Sequence, residues 1–293
     1  MTEELFFPVD GGTLAAVDHG GSGQPTLLVH GSGHNAAAWN AVVARLLPGH
    51  LVVAVDLRGH GHSTAGSVTG DQYWRDLAAV VTALGWENPL LVGHSTGGYA
   101  VTAVAAAGLV RPSAICVVDG LVLDDRATAD RALAGFRTSE AADDLRRTFG
   151  YGLRFDAAQR EAWIDRQVTG APGDLLNAGA DPELVRAVTL RSLAADGDGT
   201  WVRRPTTEEI ATTAAPPQDS PIHPSVGVYE HLTCPMTILL PGQGFYAGRR
   251  DEIAAIVAAA PHRRLADLPD AGHNVVMTHP DSVAAVIRDT VPQ

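Results

Sequence analysis

The residues best placed to do chemistry are Gly93-His94-Ser95-Thr96-Gly97, set directly behind the apolar run Pro89-Leu90-Leu91-Val92. A buried strand forced to turn sharply into a helix leaves its turn residue in a strained conformation. Small flanking glycines let the backbone fold back on itself. The pattern therefore reads as a nucleophile elbow, with the Ser95 hydroxyl pushed out at the top of a sheet. Gly98-Tyr99-Ala100-Val101-Thr102-Ala103-Val104-Ala105 reads as the helix that follows, a context that a serine in an ordinary glycine-rich turn would lack. A serine hydroxyl near neutral pH is a poor nucleophile. It needs an imidazole within hydrogen-bond reach to take its proton and later return it to a leaving group. The chain has 12 histidines, most of them expected on the surface or in packing, so the elements around Ser95 must decide which one serves.

Those elements alternate. Leu5-Phe6-Phe7-Pro8-Val9 and Thr13-Leu14-Ala15-Ala16-Val17 flank Asp10-Gly11-Gly12 as an opening hairpin. Short continuous apolar runs at 26–29, 51–55, 89–92, 114–118 and 236–240 suit strands covered on both faces of a parallel sheet. Helix-length segments at 36–47, 71–84 and 97–107 separate the early ones, and 264–268 reads as a further strand. The expected fold class is α/β, a mostly parallel doubly wound sheet. The alternation breaks over residues 121–228, where 130–136, 141–149, 157–168 and 182–194 look helical and no buried strand run appears. This predicts a core formed by residues 1–120 and 229–293 with a helical cap, or lid, at 121–228. Residues 196–221, rich in Gly, Pro, Ser and Thr, read as loop.

Composition narrows the classes. A length of 293 residues suits one large domain with an insert, and 45% apolar against 18% charged residues argues against disorder. Thirty-three acidic against 21 basic side chains give a net charge of -12, which would repel phosphate backbones and anionic lipids. No nucleic-acid partner and no membrane association are expected. The acidic start Met1-Thr2-Glu3-Glu4 lacks the basic character of a secretory signal, so a soluble, cytoplasmic protein is expected. Cys116 and Cys234 are too sparse for a disulfide framework or a metal cluster and read as packing residues. A monomer and a homodimer are equally compatible.

Four motifs in this order resemble the α/β-hydrolase superfamily: His30-Gly31-Ser32-Gly33, Asp56-Leu57-Arg58-Gly59-His60-Gly61-His62-Ser63, the elbow at Ser95, and Ala271-Gly272-His273. The resemblance covers nearly the whole sheet portion. It implies that His273 is the base, and that the oxyanion formed on attack at an acyl carbonyl meets the backbone N–H groups of Ser32 and Thr96, with Gly31 as an alternative donor. Losing one such donor typically costs about 3 kcal/mol. One position departs from the pattern. Most members take their third triad residue from a Gly-x-x-Asp turn after the strand that follows the cap, and here that turn is Gly242-Gln243-Gly244-Phe245. In some branches, including haloalkane dehalogenases and zearalenone-type lactone hydrolases, the acid ends the preceding strand instead, and Asp119 matches that place. Asp251, Asp124 and Asp125 remain alternatives, and a turn role for Asp119 before Gly120 is the plain reading of the pair. The elbow serine itself excludes dehalogenase and epoxide hydrolase chemistry, which needs an aspartate there.

The resemblance implies a cofactor-independent serine esterase or lactonase acting on a small, largely apolar molecule, with no metal. Carbon–carbon bond hydrolysis, a cofactor-free lyase or oxygenase step, and a non-catalytic ligand receptor are the alternatives. The substrate is expected between the sheet's carboxyl edge and the cap, with His34, Tyr151 and Trp163 among its contacts. Phe136, Phe149, Phe155 and Trp201 divide between pocket and cap core, and Arg137, Arg146, Arg147, Arg154 and Arg166 are expected mainly in surface charge pairs.

Overall fold

A computed structural model describes residues 2–174 and 176–291. The opening hairpin forms as β1 (Glu3–Val9) and β2 (Gly12–Gly21), paired antiparallel. The strands β3 (Gln24–Val29), β4 (His50–Val55), β5 (Leu90–His94) and β6 (Ala114–Val118) follow. A later segment carries the short strands β7 (Arg154–Phe155), β8 (Leu193–Ala195) and β9 (Trp201–Arg203), and the chain then returns as β10 (Met236–Gln243) and β11 (Arg263–Gly272). The main sheet has eight strands in the order β1-β2-β4-β3-β5-β6-β10-β11. Its pairs are parallel from β4 to β11 and antiparallel where β2 meets β1 and β4.

The central strands are apolar along most of their length because each face is covered. Leu27 and Val29, Leu91, and Ile115 and Val117 enter one core, while Leu28, Leu90 and Val92, and Cys116 and Val118 enter the other. The expected helix at 36–47 divides into a 3-10 turn, Ala36–Trp39, capped by the Asn35 side chain, and α1 (Asn40–Leu46). With α2 (Gln72–Ala83) and α3 (Thr96–Ala106), these helices sandwich the sheet. The inserted segment carries α4 (Arg126–Gly135), α5 (Ser139–Phe149), α6 (Ala157–Gly170), α7 (Pro182–Arg191) and α8 (Thr207–Thr213). The chain closes with α9 (Arg250–Ala258), α10 (Val275–Thr278) and α11 (Pro280–Arg288). Among the described residues no helix is long and apolar enough to cross a membrane.

The insert corrects two expectations. Residues 121–228 are not purely helical, since β7, β9 and β8 form a three-stranded antiparallel sheet. Residues 196–221 are not all loop either, since they contain β9 and α8. Strands of two or three residues leave no periodic trace in a sequence. The start of α8 does leave one: Thr206 accepts from the Glu209 N–H while Glu209 accepts from the Thr206 N–H, a capping box with Thr-x-x-Glu spacing.

One buried carboxylate ties the insert to the sheet domain. Asp56, fully buried after β4, accepts from the backbone N–H groups of Ala36 (2.7 Å) and His62 (2.8 Å), and from Arg191 Nε at the end of α7 (2.9 Å). Arg191 also pairs with Glu4 at 2.8 Å. The rest of the Asp56-to-Ser63 motif is equally structural: Ser63 Oγ donates to the Asp56 carbonyl and accepts from the Ala15 N–H. Replacing Asp56 by Ala removes the acceptor of two N–H groups and leaves the Arg191 guanidinium only the half-exposed Glu4 as a carboxylate partner. Such a loss typically costs about 3–5 kcal/mol, so the urea midpoint of Asp56→Ala should fall steeply.

Burial also holds the imidazoles of His30, His60 and His94 below their ordinary range, desolvation being the main cause in each. These rings are neutral in the folded chain and titrate normally when it unfolds. Their contribution to stability is present above the unfolded value, near 6.5, and is lost as the pH falls below it. Unfolding at pH 5.5 should take up about one proton at each of His60 and His94, which burial holds well below the ordinary range, a count readable from calorimetric enthalpies in buffers of different ionisation heat. His60→Gln should show about one proton fewer.

Candidate active site

Ser95 occupies the turn between β5 and α3 with φ +53° and ψ -124°, a region that a side chain rarely enters. The crossing is tight: a Cβ on Gly93 would lie 2.0 Å from the Gly97 carbonyl oxygen, and one on Gly97 would lie 2.3 Å from the Val29 carbonyl oxygen. Only glycine fits either place. The Ser95 N–H donates to the Val118 carbonyl at 3.0 Å, which fixes the turn against β6.

His273 follows β11. Its Nδ1 lies 2.6 Å from Asp119 Oδ2 and its Nε2 lies 3.2 Å from Ser95 Oγ. With a carboxylate as partner, Nδ1 carries the proton and the Nε2 lone pair is left facing the hydroxyl. Asp119 directly follows β6, is fully buried, and has φ +43°. Its other contact comes from the turn where an acid was absent. The Phe245 N–H donates to Asp119 Oδ2 at 3.0 Å, and the Phe245 ring stacks on the imidazole with centroids 3.7 Å apart and planes 16° from parallel. The alternative acids lie elsewhere: Asp251 is in the first turn of α9, Asp124 pairs with Arg249 at 2.9 Å, and Asp125 caps α4.

The loop after β3 lies against Ser95. Leu57 N–H donates to His30 Nε2 at 3.0 Å, so His30 Nδ1 carries the proton and donates to the Gly31 carbonyl at 2.8 Å. The neutral ring thus holds the loop backbone. Ser32 Oγ and Thr96 Oγ1 are 2.8 Å apart, and among the described residues neither backbone N–H of this pair has an acceptor. His94, the residue before Ser95, donates from Nε2 to the His273 carbonyl at 2.9 Å and so positions that loop. His34 stacks beside His94 with centroids 5.9 Å apart. Burial, reinforced by His30, His273 and Arg203, pushes the His34 imidazole down to about 3, so that ring is neutral.

Above Ser95 lies a cavity of about 610 Å³ between the sheet edge and the insert. His34, Tyr151 and Trp163 line it, with Phe136, Phe149 and Phe245. Phe155 instead packs with Ile164 and Leu193, and Trp201 lies under Arg160. Of the insert's arginines, Arg146 pairs with Asp143, Arg147 with Asp144 and Arg154 with Asp196, while Arg166 lies over Trp163. Sequence reasoning passed over Arg203, Asn274 and Met277, which also line the cavity. Arg203 carried no signal, because it fell in a stretch read as loop. Among the described residues no group of three or more His, Cys, Asp or Glu side chains could hold a metal ion.

Residues 26–286 match the profile of the alpha/beta hydrolase family. An esterase of Mycobacterium tuberculosis (strain ATCC 25618 / H37Rv) is 27% identical over 96% of this chain and 87% of its own. Protein phosphatase methylesterase 1 of Mus musculus is 34% identical over 36% of this chain, and the match spans only 30% of that relative's length. Among solved structures, E-2-(acetamidomethylene)succinate hydrolase superposes with a TM-score of 0.76 at 20% identity, covering 99% of both chains. The thioesterase domain from the curacin biosynthetic pathway does so with a TM-score of 0.75 at 18% identity, again over 99% of both. With the family profile spanning nearly all of the sheet domain and the insert, the chain belongs to the alpha/beta hydrolase family.

Proposed function

We propose that this protein is a serine hydrolase that cleaves an ester or lactone bond of a small substrate through an acyl-enzyme, using Ser95, His273 and Asp119 and no cofactor. The observation that carries this reading is the continuous hydrogen-bonded chain from Asp119 through His273 to Ser95, at 2.6 and 3.2 Å. His273 Nε2 takes the Ser95 proton as Oγ attacks the acyl carbon, and the imidazolium that forms is stabilised by Asp119. The negative charge on the carbonyl oxygen is received by the N–H groups of Ser32 and Thr96. When the C–O bond breaks, His273 returns the proton to the departing alcohol. Water then attacks the acyl-enzyme by the same relay, releasing the acid and restoring Ser95. The aromatic rim of Phe136, Phe149 and Phe245 favours an apolar portion in the substrate, and the insert acts as the cap over it.

The ester-cleaving relatives support the same reaction class, and the 27% identity to the mycobacterial esterase extends over nearly the whole chain. Ser95→Ala should abolish acid release from aryl and alkyl esters while circular dichroism and thermal melting stay close to the parent. Undiminished turnover by that variant would remove the proposal. Asp119→Asn should lower kcat by about 10⁴-fold, because an amide at that place no longer fixes the tautomer or stabilises the imidazolium. A serine-directed phosphonate should label the parent at Ser95 and spare Ser95→Ala, as read by intact-protein mass.

A further inference from the structure

Arg203, on β9, is the one cationic side chain lining the cavity among the described residues that is permanently charged. The side chain is held in place by neutral groups. Nη2 donates to the Gly33 carbonyl at 2.9 Å, Nη1 donates to the Arg204 carbonyl, and the guanidinium carbon lies 5.4 Å from the Tyr151 ring centroid. Among the described residues no carboxylate lies within 4.0 Å of it. Its neighbours contrast with this: Arg204 pairs with Glu209 at 2.9 Å and Arg191 with Asp56 at 2.8 Å. Arg263 is likewise buried and held by the Ile256 and Tyr229 carbonyls, but it does not line the cavity, whereas Arg203 does. Burial lowers its proton affinity, with the Tyr151 hydroxyl as a small opposing influence.

We propose that Arg203 recognises a carboxylate on the substrate, so that the bond cleaved at Ser95 belongs to a molecule that also carries a free acid. A guanidinium has five N–H donors, of which the two backbone carbonyls engage two, leaving three for an anionic partner such as a carboxylate. The location fits a group some bonds away from the reacting carbonyl, because Gly33 directly follows Ser32 in the loop that lies against Ser95. The desolvation already present makes the cation a stronger partner for an anion than it would be in water. Arg204 cannot substitute, being committed to Glu209. The aromatic rim then receives the apolar remainder of the same molecule. This assignment refines the substrate expected above, which was largely apolar, and it rests on the hydrolase reading only for the bond that is broken.

The alternative is that Arg203 merely braces the loop through Gly33. The two roles separate in a matched pair of esters. Monomethyl and dimethyl esters of succinic, glutaric and adipic acids, followed by proton release, differ in whether a free carboxylate is present. The parent enzyme should favour at least one monomethyl ester over its dimethyl counterpart by about tenfold or more in kcat/KM, the size expected of a charge-assisted pair. In Arg203→Met and Arg203→Gln this ratio should collapse toward one, and Arg203→Lys should keep part of it. A ratio unchanged in the Arg203 variants, even with both rates lowered, identifies a brace and overturns the proposal, as does a parent enzyme that favours the dimethyl ester of every acid. Failure of hydrolysis itself is recognised separately. Calorimetric binding of the same esters to Ser95→Ala and to Ser95→Ala with Arg203→Met needs no turnover, and equal binding of both ester types to Ser95→Ala rejects carboxylate recognition whatever the reaction proves to be.

Discussion

The turn at Ser95 is the constraint on which the remaining structure depends. A non-glycine residue at positive φ costs on the order of 1–3 kcal/mol, and it persists only where its surroundings allow no alternative. Here the surroundings come from two neighbouring strands and a loop. The backbone of β3 crowds Gly97, the end of β6 accepts the Ser95 N–H, and the loop after β3 presses on the serine itself. The strain is therefore offset by the packing of the sheet, and the hydroxyl is presented to the cavity.

The neighbouring groups extend the same economy. Asp119 also has positive φ, at the end of the strand beside the elbow, so two strained turns face each other across adjacent strands and the imidazole spans them. Phe245 has a double part in this arrangement. Its backbone N–H holds the carboxylate and its ring covers the imidazole, which explains how a turn without an acid still contributes to the site. The buried neutral histidines work by hydrogen bonding rather than charge. His30 holds the Gly31 carbonyl and His94 holds the His273 carbonyl.

The insert is joined to this site by polar links as well as by packing. Arg191 reaches Asp56, which in turn holds the Ala36 N–H at the start of the helical turn following the Ser32 loop. Arg203 reaches the Gly33 carbonyl in the loop itself. Both connections run to the backbone near Ser32, so the position of the insert and the shape of that loop are set together.

Much of this was legible in the chain. Apolar runs of four or five residues separated by helix-length segments specify a covered parallel sheet, because a strand buried on both faces has no polar position to alternate with. Glycines at 93 and 97 around a serine specify a turn too tight for any other residue there. The short strands β7, β8 and β9 were not legible, since two or three residues carry no period, and with them went Arg203. The same limit applied to the carboxylate partner of His273. Asp119, Asp124, Asp125 and Asp251 are all open from the sequence, and the difference among them is a matter of ångströms, with Asp119 itself 154 positions from His273. Local pattern determines which elements form and where a hydroxyl must be strained, because those are short-range steric facts. Which charges meet, and that Arg203 faces the cavity without a carboxylate beside it, was decided only when the insert packed onto the sheet, because such pairings depend on distances that no single stretch of sequence contains.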